Sequence, residues 1–339
     1  MRETFTPGRR KRRASHVRLV FTLGVGLSLW LATSHEAAPK GQGQNPPSAP
    51  ATAAAAVALT NVLFNVSDAN DQPVTSLRQE DVRVSEDGVA QAVKSFTPQA
   101  DMALSAVIAL DNSMSQERLL PATRKVAQAL VPYLLRTPKD HAAVVAFAKE
   151  TVLEQDFTGN PDRVAKAIEG VSVLPLGTIG IIEGGSTSLR DALWVIGNDL
   201  LPQTPPETRR VLILITDGAD TSSEKKMREA TDSILKAACV IYVLGVGDKY
   251  YSDVNKKVLR ELAERTGGRA YFPREGDKLH PMFAQMRSDL SAQYRLTYAT
   301  PAGKGGKDIL RKLKIEIVNP ELRKRNLRVT YPQGYFPST

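Results

Sequence analysis

The sequence predicts an α/β protein in which a doubly wound, mostly parallel sheet is inserted between β-rich segments. Continuous apolar runs of strand length recur between residues 105 and 246, and such runs are typical of parallel strands buried on both faces. Helical patterns alternate with these runs, as the connections of a parallel sheet require. Short β-rich stretches lie on both sides, at 58–100 and 293–339. Because neither stretch holds enough strands to cover a hydrophobic face, we expect the two to pair in one small β-sandwich.

The composition indicates a folded protein and argues against a nucleic-acid-binding one. Hydrophobic residues make up 42% and charged residues 24% of the 339 residues, so a packed core is expected. The net charge of +9 is concentrated near the ends of the chain, where residues 1–40 carry eight Lys or Arg against two acidic residues and 304–328 carry nine against three. Aromatic residues do not alternate with these basic residues, as a base-stacking platform would require. No nucleic-acid partner is therefore expected.

The first 34 residues are predicted to be a signal peptide. A basic stretch precedes about 14 mostly apolar residues from Leu19 to Ala32. A membrane span needs about 20 such residues, whereas a signal-peptide core is shorter. The small residues of 32–34 favour cleavage after Ser34; the alternative is an uncleaved segment that anchors the chain to a membrane. In either case we expect export to the periplasm, the cell envelope or the exterior.

A linker and a β-rich segment follow. Residues 35–57 are rich in Ala, Pro, Gly and Gln, and such a stretch buries too little apolar surface to offset its ordering entropy. A disordered linker is therefore predicted. Between 58 and 100, short runs of β-forming residues are separated by turn residues such as Asp87-Gly88, which predicts antiparallel strands.

The α/β domain is predicted to span 101–292. Its buried strands are expected at 105–110, 142–148, 211–215 and 240–246, with an antiparallel edge strand opening at 152–153 and a further strand at 269–272. Helices are expected at 119–134, 161–169, 187–200, 253–266 and 279–290. Gly267-Gly268 suits a left-handed C-cap, and Thr221–Glu224 matches a capping box that would open another helix. From 293 to 339 the chain returns to β patterning and is expected to pair with 58–100.

Five oxygen-bearing side chains are predicted to meet at one rim of this sheet. Asp111, Ser113 and Ser115 follow the first buried strand, and Asp217 follows the third. Doubly wound sheets bind ligands at the carboxyl ends of their strands. Thr187 opens a helix in the loop between these motifs. Two carboxylates and three hydroxyls are ligands that a hard cation such as Mg²⁺ prefers, and a cation held this way would accept a further carboxylate from a partner.

At these motifs the chain resembles the von Willebrand factor A family. Asp-x-Ser-x-Ser, a later Thr, and Asp-Gly after an apolar strand form that family's metal-ion-dependent adhesion site (MIDAS), and all five positions are met. More specifically, the chain is similar to the bacterial, acidobacterial-type VWFA-related family in the stretches 77–88, 216–223, 262–269 and 334–336. The resemblance covers about 60–336. It implies a Rossmann-like fold, a bound Mg²⁺ (or Mn²⁺ or Ca²⁺), and metal-dependent adhesion to a protein or an extracellular-matrix or envelope ligand that offers a carboxylate.

The chain departs from the family pattern before the threonine. The family usually reaches this residue through a short Gly-Gly-Thr turn, whereas residues 176–186 intervene here. Thr178 is thus a competing ligand, and Thr187 is favoured because 189–193 follow it as the family's helix would. The inserted loop is rich in isoleucine. It is either a surface that contacts the partner or a loop folded onto the edge of the sheet.

The sequence argues against an enzyme. Hydrolysis needs a base beside a nucleophile, and neither His141 nor His280 lies in a rim loop. Gly184-Gly185 lacks the Lys and the preceding strand of a phosphate-binding loop. Cys239 lies within an apolar run and is predicted to be an inert core thiol. Asp220, next to the rim, either supports the metal ligands from behind or is only solvated, and the sequence favours the latter.

Two functions remain open from the sequence. The first is metal-dependent binding of a partner in the cell envelope or the extracellular matrix. The second is a structural envelope module whose metal site supports the fold without bridging to a partner. They differ in whether removal of the metal changes the affinity for a partner or only the stability of the protein.

Overall fold

The first strands of the chain lie before the α/β region. The computed structural model describes residues 3–5, 58–99, 102–173, 186–247, 253–274, 277–300 and 308–337. The predicted signal-peptide core, the linker, Thr178 and residues 176–185 of the inserted loop lie outside these residues. The early strands are β1 (Glu3–Phe5), β2 (Ala58–Ser67), β3 (Val82–Glu86), β4 (Val89–Gln91) and β5 (Val93–Gln99).

The central sheet is built by the strands and helices that follow. The strands are β6 (Leu104–Asp111), β7 (His141–Phe147), β8 (Thr151–Thr158), β9 (Arg209–Thr216), β10 (Cys239–Gly245) and β11 (Ala270–Tyr271). The helices are α1 (Leu120–Leu134), α2 (Pro161–Gly170), α3 (Leu189–Val195), α4 (Met227–Lys236), α5 (Lys256–Thr266) and α6 (Leu279–Ser291). The strand order is β1-β8-β7-β6-β9-β10-β11; β8 runs antiparallel to β1 and to β7, and the other neighbouring strands run parallel. The predicted fold class is confirmed.

Both faces of this sheet are covered by helices. Along β6, Ala106 and Ile108 pack into one core with α1, α2 and α6, whereas Val107 and Ala109 pack into a second core with α3, α4 and α5. Successive side chains of a strand point to opposite faces, so each must be apolar when both faces are buried. This is the physical reason for the continuous apolar runs in the sequence.

One detail of the helices differs from the sequence prediction, and another confirms it. Helix α4 begins at Met227, and the carboxylate of Glu229 in its first turn accepts from the backbone N–H of Lys226 at 3.0 Å. The predicted capping box at Thr221–Glu224 is therefore wrong, because that segment forms a non-helical loop. The predicted left-handed C-cap is confirmed at Gly267, whose φ is 81° at the end of α5.

The remaining strands pair with β2, β3, β4 and β5 in two antiparallel sheets. They are β12 (Gln293–Thr300), β13 (Arg311–Ile317), β14 (Arg328–Thr330) and β15 (Gly334–Tyr335), with a short helix α7 (Pro320–Arg323) between β13 and β14. The sheets have the orders β14-β2-β12-β5 and β15-β13-β3-β4. Each combines strands from both β segments, and the two sheets share one core that contains Phe64, Val84 and Tyr294. Among the described residues, no helix is long and apolar enough to cross a membrane.

Candidate metal centre

The strands β6 and β9 end side by side and place the first two motifs together. Their parallel register sets Leu110 beside Ile215, so Asp111 and Thr216 end neighbouring strands. The hydroxyl of Thr216 donates to Asp111 Oδ2 at 2.6 Å. The carboxyl ends of parallel strands thus bring side chains more than one hundred residues apart into contact, as a doubly wound sheet requires.

Four of the five predicted ligands form one continuous chain of hydrogen bonds. Asp111 Oδ1 accepts from Ser113 Oγ at 2.6 Å and from the Ser113 backbone N–H at 3.0 Å. The hydroxyls of Ser113 and Ser115 are 3.1 Å apart, and Ser115 Oγ donates to Asp217 Oδ2 at 3.0 Å. The structure therefore gathers the two carboxylates and two of the three hydroxyls within a few ångströms.

Thr187 is held at the same rim by different bonds. Its backbone N–H donates to Thr221 Oγ1 at 2.9 Å, and its carbonyl accepts from the Thr221 N–H at 2.9 Å. The next residue, Ser188, donates its N–H to the carbonyl of Ala148, just beyond β7, at 2.7 Å. Thr187 is buried, with 2% of its surface exposed. Among the bonds of the described residues, none joins its side chain directly to the other four predicted ligands.

The segment around Thr187 is joined to the segment after Asp217 by a set of hydrogen bonds and an ion pair. We call these contacts, between residues 187–191 and 220–225, the loop clasp. Asp220 accepts from the backbone N–H of Arg190 at 2.9 Å and from the hydroxyl of Ser223 at 2.7 Å. Asp191, which is buried, accepts from the backbone N–H groups of Glu224 and Lys225 at 3.0 and 2.8 Å. The prediction of a solvated Asp220 is wrong: its side chain is 11% exposed and pairs with Arg190.

Two further residues contact the carboxylates and were not singled out from the sequence. Gln116 is 1% exposed, and its Nε2 donates to Asp217 Oδ2 at 2.9 Å. Thr216 is fully buried and bonds Asp111. Thr216 directly precedes Asp217 at a strand end, which is a local signal for such a contact. Gln116 carries no such signal because its partner is 101 residues away.

The electrostatics of the rim favour a cation. Asp111 and Asp217 are 1% and 0% exposed. Burial raises the pKa of Asp111 to about 6; hydrogen bonds from Ser113 and Thr216 oppose this rise, and the negative charge of Asp217 adds to it. Two carboxylates buried in one network repel each other and have lost much of their hydration. A bound cation would offset both penalties.

The donor set fits a hard divalent cation. Among the described residues, no three His, Cys, Asp or Glu side chains form a cluster, so a metal here would depend on hydroxyls as well as carboxylates. Adjacent ligands of an octahedral Mg²⁺ at about 2.1 Å lie about 3.0 Å apart. Along the chain from Asp111 to Asp217, the separations of 3.1 and 3.0 Å match that spacing, and the 2.6 Å between Asp111 Oδ1 and Ser113 Oγ is shorter. The residues present thus suit Mg²⁺, Mn²⁺ or Ca²⁺.

The fold and this rim together define an α/β domain with an oxygen-ligand site at the carboxyl ends of its parallel strands. The chain belongs to the von Willebrand factor type A domain family, whose model matches residues 106–285. That range contains all five predicted ligands. Domains of this class commonly mediate protein–protein interactions, and they often bind divalent metals through a MIDAS.

Several solved structures are similar to the chain. The conserved hypothetical protein BatB from Bacteroides thetaiotaomicron is 19% identical over 56% of this chain and 98% of its own, with a TM-score of 0.43. A von Willebrand factor type A structure from Catenulispora acidiphila is 14% identical over 84% and 74%, with a TM-score of 0.45. Proximal thread matrix protein 1 from the mussel byssus, with a zinc-occupied MIDAS motif, is 20% identical over 61% and 49%, with a TM-score of 0.46. No curated protein matches the sequence significantly.

Proposed function

We propose that the protein is an exported, non-enzymatic binding protein that captures an acidic group of a partner through a divalent cation. The cation would be held by Asp111, Ser113, Ser115, Thr187 and Asp217. One observation carries the proposal: two buried carboxylates, at the carboxyl ends of two neighbouring strands, are linked by two serine hydroxyls within hydrogen-bond distance.

The charge balance of the site explains why a partner would be recruited. Three of the five ligands are neutral hydroxyls, so Asp111 and Asp217 supply at most two negative charges to a doubly charged ion. When bound, the cation supplies an electrophilic site that accepts an oxygen ligand from outside the protein. A carboxylate from an acidic residue of a protein or matrix partner is a hard, anionic oxygen donor, and it would complete the coordination.

The chain's own residues keep the ligands in place. Thr216 and Gln116 each donate to one of the carboxylates, which orients the remaining oxygens. The loop clasp fastens Thr187 to the segment after Asp217. Groups that orient metal ligands typically change metal affinity about 10- to 100-fold when they are removed. Binding would therefore depend on the clasp as well as on the ligands.

The histidines and the cysteine support a binding function over catalysis. His141 lies at the start of β7, the end remote from Asp111, and is exposed. The ring of His280 packs edge-on against that of Tyr133, with centroids 5.8 Å apart. Cys239 is 2% exposed, and burial raises the pKa of its thiol. None of these groups is placed to act as a base or a nucleophile at the rim.

The place of action follows from the N-terminal segment. The apolar run from Leu19 to Ala32 with its basic flank supports export. We therefore propose that the partner lies in the cell envelope or the extracellular matrix. The chain would reach it either as a cleaved, released protein or from an uncleaved membrane anchor.

The test compares metal binding and partner binding in matched variants. Mg²⁺ and Mn²⁺ are titrated calorimetrically into the wild type, Asp111→Ala and Asp162→Ala, the last an exposed acidic residue on α2. We expect metal binding in the wild type and the control and its loss in Asp111→Ala. Immobilised proteins are then exposed to envelope and matrix extracts with Mg²⁺ or EDTA. A partner retained only with Mg²⁺, and not by Asp111→Ala, is the expected result.

Other outcomes separate the alternatives. If chelation lowers the thermal stability but the retained partners are the same in all conditions, the metal only supports the fold and the adhesion proposal fails. Metal-dependent turnover of a substrate that is lost in Asp111→Ala would instead indicate a hydrolase. Absence of any metal binding to the wild type would overturn both metal-based functions.

A further inference from the structure

A cleft between α1 and α6 brings arginine side chains together far from the metal centre. Arg136, which follows α1, and Arg287, on α6, line this cleft together with Tyr133 and Ser288. Arg136 lies four residues before Asp140, which in turn precedes β7. The cleft is thus at the amino ends of the parallel strands, opposite the edge that holds Asp111.

The guanidinium of Arg287 has an unmet hydrogen-bonding requirement. Its Nε is buried and has no acceptor among the described residues. A buried donor that lacks an acceptor is destabilising, and more so when it is charged. Arg136 and Arg287 line the same cleft. Burial lowers the pKa of Arg287; the positive charge of Arg136 lowers it further, and the negative charge of Asp140 opposes this. An anion between the guanidinium groups of Arg136 and Arg287 would relieve the repulsion between their charges.

A third arginine adds to the positive potential behind the cleft. Arg209 begins β9 and is 4% exposed; its Nη2 donates to the carbonyl of Gln99 at 3.3 Å, and its Nε has no acceptor among the described residues. Burial lowers the pKa of Arg209 to about 10, and the charges of Arg287 and Arg295 contribute in the same direction. The side chain of Arg209 therefore lies within the electrostatic reach of the cleft.

The nearby acid is already satisfied by the backbone. Asp140 accepts from the backbone N–H of Leu104 at 2.8 Å through Oδ1 and from those of Arg136 and Thr137 at 3.1 and 2.8 Å through Oδ2. Its carboxylate thus fixes the chain at the end of α1 and forms no ion pair with the arginine side chains among the described residues. Arg136, Arg209 and Arg287 outnumber Asp140 here, so the summed charge of these four side chains is positive.

We propose that this cleft is a second ligand site, which binds a phosphate-class oxyanion through Arg136, Arg287 and the hydroxyl of Ser288. Guanidinium groups match the oxygens of phosphate in pairs, and two of them side by side suit a divalent anion. The partly apolar wall formed by Tyr133 accommodates a substituent on that phosphate. The chemistry is shared by inorganic phosphate and by the phosphate of an anionic lipid headgroup.

The experiment measures phosphate binding with EDTA present, so that the metal centre contributes nothing. Potassium phosphate and potassium chloride are compared at equal ionic strength by calorimetry and thermal unfolding. The proteins are the wild type, Arg287→Gln, Arg136→Gln and the control Arg163→Gln, an exposed arginine on α2. We expect phosphate-specific stabilisation of the wild type and the control, and a loss of affinity of about tenfold or more in the two cleft variants.

A second arm distinguishes the sources of the phosphate. Vesicles of phosphatidylcholine, with or without phosphatidylglycerol, are added to the phosphate-bound protein. Displacement of phosphate by the anionic vesicles alone indicates a headgroup site, and retention of phosphate indicates a site for the free ion. Arg136 is exposed, so Arg136→Gln remains informative if Arg287→Gln does not fold. An equal response of all four proteins to phosphate, or no response beyond that to chloride, would overturn the proposal.

Discussion

Arg190 donates from Nε and Nη2 to the two carboxylate oxygens of Asp220, at 3.0 and 2.9 Å. This bidentate pair joins the first turn of α3 to the loop after β9, and it is the charged part of the loop clasp. Its partners are 30 residues apart in sequence. The pair therefore joins the segment that carries Thr187 to the segment that follows Asp217.

The first prediction concerns the clasp. Asp220→Asn removes the charge and one acceptor oxygen while leaving all five predicted ligands intact. We expect Mg²⁺ affinity to fall about tenfold, as when a group that orients a ligand is lost. The free energy of unfolding should fall by about 1–2 kcal/mol, since the pair is only partly exposed. Calorimetric Mg²⁺ titration and urea unfolding measure the two effects.

The matched control for Asp220→Asn is Lys324→Gln. Lys324 pairs with Glu321 at 2.7 Å, but both side chains are at least 70% exposed. Exposed pairs contribute about 0–1 kcal/mol, so neither stability nor metal affinity should change measurably. Unchanged Mg²⁺ affinity in Asp220→Asn would show that the clasp does not position the metal ligands.

The sequence predicts the sheet and the rim because both depend on local patterns. An apolar run such as that of β6 indicates burial on both faces. Asp111, Ser113 and Ser115 lie within a stretch of five residues at the end of that run. The loop clasp has no comparable local pattern in the sequence. Thr221–Glu224 has the residue types of a capping box, yet the hydroxyl of Ser223 accepts from the backbone N–H of Arg190, and the backbone N–H of Glu224 donates to Asp191. These polar groups are used for tertiary contacts that no local pattern encodes.

The second prediction decides between the two candidate threonines. Thr187→Ala removes one hydroxyl ligand, and we expect Mg²⁺ affinity to fall about 10- to 100-fold. Thr187→Ser keeps the hydroxyl and should retain most of the affinity. Thr178→Ala should leave the affinity unchanged. Calorimetric titration of all three variants provides the measurement. The opposite pattern, in which only Thr178→Ala weakens binding, would reassign the ligand.

The third prediction tests how closely the chain after α5 approaches the sheet. A Cβ on Gly268 would overlap the backbone carbonyl oxygen of Ile241 in β10. Backbone cannot yield as a flexible side chain does, so Gly268→Ala should destabilise the protein by about 1–3 kcal/mol or more. Gly170→Ala is the control, because a Cβ there meets nothing within 4 Å. Urea unfolding should show a lower midpoint for Gly268→Ala alone; equal midpoints would contradict the packing described.

The fourth prediction concerns the link between the α/β domain and the β-sandwich. Arg269 donates from Nε to Asp289 Oδ2 at 3.0 Å and from Nη1 to Asp71 Oδ1 at 2.7 Å. Asp289 is 4% exposed. Arg269→Gln would leave this buried carboxylate without its cation, and breaking such a pair typically costs about 3–5 kcal/mol. We therefore expect a large loss of unfolding free energy at neutral pH, measured by urea unfolding.

The loss of unfolding free energy caused by Arg269→Gln should depend on pH. The burial of Asp289 determines the direction of this dependence. Burial raises the pKa of Asp289, and the charge of Arg269 opposes that rise, so the substitution moves the pKa higher still. A folded-state pKa above the unfolded value means that the folded protein binds the proton more tightly, and stability increases as the pH falls through the folded pKa. The difference in unfolding free energy between wild type and Arg269→Gln should accordingly shrink from pH 7 towards pH 4. When Arg269→Gln is compared in an Asp289→Asn background, most of this pH dependence should disappear, and a remainder is expected at the acidic end because Arg269 also lowers the pKa of Asp71. An undiminished dependence in that background would assign the effect to a group other than Asp289.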